Sequence, residues 1–194
     1  MVMRRWPEAI WVLIAAALFA TLPSALFPGP PVVRYVVAGI EIVLGVLLIA
    51  GNRRRASIGL ITVIGLGNVL ALGYLIHQLL YAGGVQGRSL LYSAFDIWLT
   101  NVIAFGLFYW ELDGQTADVT DFAFVQMTDP EVRAKDWHPR FTDYLYVAYT
   151  NASAFSPTDT LPLTRRAKML MLVQSSISIV TLLLVAARAV NILR

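Results

Sequence analysis

Residues 141–194 read FTDYLYVAYTNASAFSPTDTLPLTRRAKMLMLVQSSISIVTLLLVAARAVNILR. This stretch predicts an amphipathic helix over residues 141–154, a polar turn over residues 156–159 and an apolar helix over residues 169–192. Pro157, within the turn, separates the two helices, because a proline ring interrupts a helix. The last helix is long enough to cross a bilayer, which takes about 20 apolar residues. The first is too short to cross, so we expect a re-entrant half-helix that enters the membrane and returns on the same side.

The composition of the whole chain is that of an integral membrane protein. Of its 194 residues, 58% are hydrophobic and 14% are charged, and the mean hydropathy is +0.67. In an ordinary soluble domain, charged residues alone make up about a quarter of the chain. There is no cysteine and there are only two histidines, so few side chains are available to build a metal site. We therefore expect no metal and no cofactor.

Four further apolar segments precede the C-terminal stretch. They are bounded by turn-forming or charged residues, which end a membrane helix. The predicted spans cover residues 7–27, 32–50, 57–82 and 90–110. The predicted fold class is therefore an all-α integral membrane protein with about five transmembrane helices and a re-entrant half-helix before the last of them.

The chain is predicted to form one transmembrane domain, residues 1–194, in three parts. Residues 1–112 carry the four N-terminal helices, and residues 141–194 carry the half-helix and the last span. Residues 113–140 are polar and acidic on balance but contain aromatic side chains, which suits a segment lying along the membrane surface. Within it, the sequence Asp-Pro-Glu at 129–131 predicts the start of a short helix, because aspartate can cap a helix and proline fits its first position.

The C-terminal stretch resembles the pore module of tetrameric potassium channels. In that family a half-helix, a filter and a full helix follow one another. Here the motif D-x-L-Y at 143–146 opens the module, Asp159 follows sixteen residues after the first aspartate, and P-L-T at 162–164 closes it. Where the family has T-V-G-Y-G, this chain has A-F-S-P-T at 154–158. Both filter glycines are missing, and residues with a Cβ resist the backbone angles that stacked inward carbonyls require. We expect no potassium-type filter.

The resemblance to potassium channels implies a homo-oligomer, with a tetramer favoured, whose copies surround the polar turn and pass an ion. The residues that would form the constriction are Asn151, Ser153, Phe155, Ser156, Thr158 and Asp159. The pore-lining candidates on the last helix are Gln174, Ser175 and Ser178. The alternative for these last three is that they form interhelical hydrogen bonds, together with Asn68 and Asn101.

The chain also resembles an uncharacterised family of bacterial multi-pass membrane proteins. Members of that family carry a pore-module-like C-terminal region without the glycine filter. This resemblance implies a location in the bacterial plasma (inner) membrane, and it implies no activity.

The distribution of lysine and arginine predicts the orientation of the chain. Five spans and a returning loop divide the fifteen basic residues into two sets. The larger set comprises Arg4, Arg5, Arg53, Arg54, Arg55, Arg133, Lys135, Arg140, Arg165, Arg166 and Lys168. The smaller set comprises Arg34, Arg88, Arg188 and Arg194. The positive-inside rule places the larger set in the cytoplasm, so the N-terminus is expected to be cytoplasmic and the C-terminus external. Potassium channels have the opposite orientation, whereas ionotropic glutamate receptors conduct with an inverted pore module.

Ionisable side chains within predicted spans are candidate functional residues, because a charge is costly in the hydrocarbon. They are Glu41, His77, Asp96 and Arg188. Glu41 is either a buried neutral group or handles a proton or cation, and His77 is either packed or a proton relay. Asp96 and Arg188 lie at similar depths on the same side, so we predict an ion pair between them. The alternative is that Arg188 reaches up to the headgroups.

Three classes of function are compatible with these features. The first is an oligomeric, channel-like protein with a constriction that is not of the potassium type. The alternative is a non-conducting membrane scaffold or assembly protein that retains the pore-module fold. An enzyme acting on lipid is disfavoured, because no nucleophile, base and orienting group can be assembled from the sequence. The basic residues lie beside apolar segments rather than in a basic arm, so the expected partner is the lipid bilayer and not nucleic acid.

Overall fold

The computed structural model describes residues 10–11, 13–14, 17, 32–50, 54–81, 87–113, 120–133, 137–153 and 160–192. Its helices are α1 (Val32–Ala50), α2 (Arg54–Tyr81), α3 (Gly87–Leu112), α4 (Pro130–Arg133), α5 (Phe141–Ala152) and α6 (Arg165–Ile192). The strands are β1 (Phe122–Phe124) and β2 (Thr160–Pro162), and a 3-10 turn covers Val125–Met127. Residues 10, 11, 13, 14 and 17 are helical as well.

The described part of the chain is mostly helical, which confirms the predicted all-α class. Two helices in it are long and apolar enough to cross a membrane, over Leu91–Leu112 in α3 and Arg165–Ala187 in α6. They correspond to the fourth and fifth predicted spans. A shorter apolar segment, Ile61–His77, lies within α2. The full count of about five spans stays a prediction.

A short antiparallel strand pair departs from the all-helical prediction. Phe122 pairs with Pro162, and Phe124 pairs with Thr160. Just beyond the pair, the backbone N–H of Leu163 donates to the carbonyl of Asp121 at 2.8 Å. The pair therefore joins the polar segment after α3 to the chain that follows the half-helix.

Helix α3 lies at the centre of the described part of the fold. Every residue from Thr100 to Tyr109 is buried, and the helix contacts α2, α5 and α6. The apolar segment long enough to cross a membrane is 67% buried in α3 but only 28% buried in α6. Helix α6 therefore lies at the edge of the packed helices, with most of its apolar surface facing outward.

The half-helix α5 packs antiparallel along the second half of α3. At its start, the hydroxyl of Tyr144 donates to Asp113, just after the end of α3, at 2.6 Å. At its other end, the carbonyl of Ala152 accepts a bond from the indole of Trp98 at 3.3 Å. Strand β2, which follows α5 in the chain, lies beside Asp121. The start of α5 and β2 are therefore at the same end of the helix bundle. A short helix is thus present at the predicted place, and it ends at Ala152 rather than at residue 154. Its entry into a membrane stays a prediction.

The approach of α5 to α3 depends on a glycine. A Cβ added at Gly106 would lie 3.2 Å from the Cα of Leu145 and 3.3 Å from its Cδ1. Such distances are shorter than ordinary van der Waals contact, so a side chain at this position would push the two helices apart. Gly106 thus sets the separation of the central helix and the half-helix.

The start of α5 is fixed by a cap and by aromatic packing. The backbone N–H of Arg140 donates to the carboxylate of Asp143 at 2.6 Å. The ring of Phe124 packs against Tyr144 at 5.2 Å and against Trp137 at 5.8 Å between centroids. The polar segment is therefore folded onto the half-helix.

The predicted start of α4 is confirmed. The backbone N–H of Glu131 donates to the carboxylate of Asp129, the residue before the proline, at 2.9 Å.

Candidate functional site

A buried amide occupies the point where α3, α5 and α6 meet. Gln174 on α6 is 0% exposed. Its Nε2 donates to the carbonyl of Ala148 on α5 at 2.8 Å. Its Oε1 accepts bonds from the hydroxyl of Tyr109 on α3 at 2.5 Å and from Nδ2 of Asn151 on α5 at 2.8 Å. One side chain thus bonds to both neighbouring helices.

Two asparagines extend this network, which we call the Gln174 cluster (Asn101, Tyr109, Asn151, Gln174 and Ser178). Nδ2 of Asn101 donates to the hydroxyl of Ser178 at 2.9 Å and to the carbonyl of Gln174 at 3.3 Å. Nδ2 of Asn151 donates to the carbonyl of Met171 at 2.9 Å. All five side chains are neutral, so the cluster joins three helices without placing a charge in the interior.

A second, charged cluster lies at the end of the bundle where α3 ends and α6 begins. Asp121 is 1% exposed and is bound by Arg166, with Nε 2.7 Å from Oδ1 and Nη2 2.5 Å from Oδ2. The hydroxyl of Thr164 donates to the same carboxylate, and the N–H of Ala167 donates back to that hydroxyl at 3.2 Å. Thr164 therefore caps α6 and holds Asp121 at the same time.

A second carboxylate continues this Asp121 cluster (Asp113, Asp121, Tyr144, Thr164 and Arg166). Asp113 accepts the backbone N–H of Asp121 at 2.5 Å and the hydroxyl of Tyr144 at 2.6 Å. Burial, and then the hydrogen bond to Asp113, raise the pKa of Tyr144 above its ordinary value. The tyrosine therefore stays protonated and continues to donate. Arg166 also donates to the carbonyl of Leu112 at 3.3 Å, which ties α6 to the end of α3.

The two clusters join the same helices at two depths. The Asp121 cluster holds α3, α5 and α6 at one end of the bundle, and the Gln174 cluster holds them about two turns further in, as counted along α6 from Arg166. A buried polar network is most stabilising when all its members are paired. Here each member makes at least one bond, although Oδ1 of Asn101 has no partner among the described residues. The half-helix is therefore fixed at its start and near its tip.

The chemistry available at the clusters is that of paired groups. Arg166 and Thr164 bind the Asp121 carboxylate, so it is not free to act as a base. Within the described ranges, no group of three or more acidic or histidine side chains is placed to hold a metal ion. In both clusters the bonded polar groups connect helices α3, α5 and α6.

The structure covers part of the predicted constriction. Asn151 is partly buried and bonds to α6, as described above. The hydroxyl of Ser153 donates to the carbonyl of Tyr149 at 2.8 Å, one turn back in the chain. The other predicted members, Phe155, Ser156, Thr158 and Asp159, lie outside the described residues.

The predicted pore-lining residues mostly face inward within one protomer. Gln174 and Ser178 are both 0% exposed and bond to α3 or α5. Ser175 is partly buried and donates to the carbonyl of Met171 in its own helix at 2.8 Å. A pore-lining group must reach an open surface, which Gln174 and Ser178 do not do here. They make the interhelical hydrogen bonds named as the alternative, and so does Asn101. The buried side chain of Asn68 does not, since it has no hydrogen-bond partner among the described residues.

Of the four predicted ionisable residues, the structure describes the side chains of His77 and Asp96. His77 is exposed, with its ring 5.1 Å from that of Tyr81. Asp96 is partly buried on α3. The side chains of Glu41 and Arg188 lie outside what the structure describes, so the Asp96 and Arg188 ion pair stays a prediction.

Sequence reasoning missed the Asp121 cluster and Tyr109. Asp121 falls within the segment predicted to lie along the membrane surface, and Arg166 enters the sequence analysis only as one of the basic residues that predict orientation. One signal was available: Thr164 stands directly before the two arginines that open α6, and threonine is a preferred helix cap. The acid that it would bind lies more than 40 residues earlier, and no local pattern indicates that partner.

Comparison with known proteins adds no relative to this picture. No protein-family model, no curated protein and no solved structure matches the chain. The features that bear on function are therefore the two clusters, the half-helix that they hold and the outward face of α6.

Proposed function

We propose that this protein is a multi-pass membrane protein whose C-terminal half-helix and last helix form a rigid, non-conducting scaffold or assembly unit. The observation that carries the proposal is the burial of Gln174, whose amide is bonded on both sides within one protomer. The function is therefore structural, and the pore-module-like order of parts serves helix packing.

The distribution of apolar and polar side chains supports a membrane location. Large apolar side chains are exposed along α6 and α2, including Leu172, Leu183, Leu66 and Leu70. Polar side chains such as Gln174 are buried instead. Exposed apolar surface is unfavourable in water by about 25 cal/mol per Å² but not in lipid. We place the protein in the bacterial inner membrane with about five spans, and the distribution of basic residues favours a cytoplasmic N-terminus and an external C-terminus.

The bonding of Gln174 favours the scaffold over a pore lined by α6. In the channel family that this chain resembles, the corresponding helix turns polar side chains toward a central cavity. Turning Gln174 toward such a cavity would leave Tyr109, Asn151 and the carbonyl of Ala148 without this partner. Each buried polar group left unpaired is unfavourable by about 1–3 kcal/mol. Rotation of α6 into a pore-lining orientation is therefore strongly opposed.

The outward face of α6 supports assembly of identical copies. Exposed side chains at Met169, Leu172, Val173, Val180 and Leu183 repeat at helical spacing along one broad face. Such a face contacts either lipid or another membrane helix. We propose a homo-oligomer built on it, with a tetramer favoured by the channel resemblance.

The shape of the half-helix favours a second candidate, an oligomeric ion channel. Helix α5 ends beside Trp98, well short of the far end of α3, and the chain returns from there to β2. The end of α5 at this depth is where a constriction would begin if several copies met on an axis. In this candidate the constriction is formed by Asn151 and the residues up to Asp159, and any ion current is not potassium-selective.

Planar-bilayer recording of the purified protein distinguishes the two candidates. The scaffold proposal expects no current from wild type or from Asp159→Ala. A wild-type current that Asp159→Ala alters would contradict the scaffold and support the channel. A strongly potassium-selective current would contradict both candidates, because the filter glycines are absent.

Cysteine cross-linking tests the assembly itself, and the chain has no native cysteine to interfere. Leu172→Cys, on the exposed face of α6, is expected to form covalent dimers in membranes under mild oxidation. Thr181→Cys, which is buried on the same helix, is the matched control and should not cross-link. If the two variants form covalent dimers to the same extent, the proposed homo-oligomer is contradicted.

A further inference from the structure

Helix α6 begins with an excess of positive charge. Arg165, Arg166 and Lys168 stand within its first four residues, and no acidic residue lies in its first turn. The N-terminus of a helix is itself the positive end of the helix dipole, which disfavours cations there. Asp121 compensates Arg166. Arg165 and Lys168 are exposed, and neither forms an ion pair with a carboxylate in the part of the chain that the structure describes.

Exposed apolar side chains flank these cations on both sides. Leu161 is 65% exposed and Leu163 is 50% exposed, and their spacing by two residues in an extended chain puts them on the same face. On the other side, Met169 and Leu172 are exposed along α6. The surface therefore changes from apolar to cationic to apolar within a few residues of the chain.

This combination is typical of a membrane interface that contains negative charge. Apolar side chains at such a boundary enter the outer acyl region, while lysine and arginine bind phosphate groups above it. A phosphodiester matches the guanidinium of an arginine as a bidentate acceptor. It would also offset the unfavourable interaction of Arg165 and Lys168 with the helix dipole.

We propose that Leu161, Leu163, Arg165 and Lys168 form a binding surface for the headgroup of an anionic phospholipid. The inference rests on the proposed membrane location. It names the ligand that binds at the end of the bundle where α6 begins. The lipid phosphate lies against Arg165 and Lys168, and its glycerol and upper acyl region lie against the two leucines. The exposed leucines favour a lipid over free phosphate, because inorganic phosphate would leave them in water.

The first test measures lipid preference in nanodiscs of phosphatidylcholine alone and of phosphatidylcholine mixed with phosphatidylglycerol. The wild type is expected to show a higher Tm in the anionic discs and a preference for spin-labelled phosphatidylglycerol in electron paramagnetic resonance. Each cation near an anionic surface contributes about fivefold to affinity, so Arg165→Gln with Lys168→Gln should weaken the preference by up to about 25-fold.

Arg88→Gln is the matched control for each single variant, Arg165→Gln or Lys168→Gln, because it likewise removes one positive charge, near the start of α3 at the opposite end of the bundle. It should leave the preference of the wild type unchanged. A wild type with no preference for the anionic lipid would overturn the proposal. An equal loss in the control would do the same, since it would show a general effect of net charge.

The second test measures the depth of the leucines in otherwise unaltered protein. A fluorophore attached at Leu161→Cys is expected to be quenched by lipids with a nitroxide near the headgroup, and not by a water-soluble quencher. Quenching only from water would contradict the site. Inorganic phosphate could instead stabilise the detergent-solubilised protein while the discs show no preference for anionic lipid. That result would overturn the lipid site and show that the two cations bind a free anion.

These outcomes are separate from those that test the scaffold. A conducting protein could still bind the anionic lipid, and a silent scaffold could still lack it. Failure of the protein to enter a bilayer would instead contradict the proposed membrane location and this site together.

Discussion

The hydroxyl of Tyr109 donates to Oε1 of Gln174 at 2.5 Å, and both side chains are 0% exposed. The bond joins the central helix α3 to the last helix α6, and the same oxygen accepts a second bond from Asn151 on the half-helix. A single acceptor thus couples three helices. Removal of the amide should therefore affect all three.

Gln174→Leu keeps a side chain of similar length but removes the amide. We expect a loss of about 3 kcal/mol of stability, because buried groups left unpaired are unfavourable by about 1–3 kcal/mol each. Thermal unfolding in detergent or nanodiscs measures it. Ser176→Ala is the control on the same helix, since that exposed hydroxyl bonds only within α6. Similar Tm values for the two variants would contradict the structural importance of the Gln174 cluster.

Asp121 and Arg166 should be strongly coupled. Removal of one partner of a buried ion pair typically destabilises a protein by about 3–5 kcal/mol, with a smaller loss expected here because Arg166 is 39% exposed. A double-mutant cycle with Asp121→Ala and Arg166→Ala should give a double variant that loses clearly less than the sum. Additive losses would show that the contact is energetically unimportant.

Gly106→Ala tests the close approach of α3 and α5. The new Cβ would lie 3.2 Å from the Cα of Leu145. We expect the overpacking to lower the free energy of unfolding by about 1–3 kcal/mol and so to lower the Tm. Gly67→Ala is the control, because a Cβ there meets no atom within 4 Å. Alanine is the better helix former by about 1 kcal/mol, so that variant should be neutral or stabilised. An unchanged Tm for Gly106→Ala would contradict the tight packing of α3 against α5, because it would mean that Leu145 shifts to admit the Cβ at little cost.

Tyr144 should make the stability of the protein fall at high pH. Its pKa in the folded protein is raised by burial and by Asp113, whereas the unfolded value is about 10. Its contribution is therefore fully present below pH 10 and is lost as the pH rises toward the folded pKa. Tyr144→Phe should be less stable than wild type at pH 7, and this difference should narrow above pH 10. Tyr146→Phe, at an exposed position, is the control, and parallel pH profiles for wild type and Tyr144→Phe would contradict this reasoning.

The pair predicted between Asp96 and Arg188 can be tested in the same way. If the two groups form an ion pair, Asp96→Asn and Arg188→Gln should each lower the Tm in detergent. The double variant should then lose clearly less than their sum. Independent losses would favour the alternative, in which the arginine extends to the headgroups.

The half-helix was predictable from the sequence because its signals are local. Amphipathic spacing after residue 141 predicts a helix, and Pro157 limits its length. The Asp-Pro-Glu signal at 129–131 likewise predicted α4. Helix starts and stops of this kind are determined by residues next to one another in the chain.

The strand pair was not predictable in this way, and the sequence left both a pore-facing and an inward, hydrogen-bonded Gln174 open. Strands of three residues, such as Phe122–Phe124, are too short for an alternating pattern to be recognised. The sequence of α6 is apolar around most of its circumference, so it does not indicate which side is buried. The resemblance to channels favoured a pore-facing Gln174, whereas packing against Ala148 and Tyr109 turns it inward.

The strand pair has a further consequence for the variation that this module can tolerate. Only six residues separate Ser153, at the end of the half-helix, from Thr160, where β2 begins. Both attachment points are held by contacts outside that link: Trp98 and Asn151 hold one side, and β1 holds the other. The link can therefore change in sequence without moving its anchors. During evolution, the sequence of these six residues can therefore vary while α5 and β2 keep their positions.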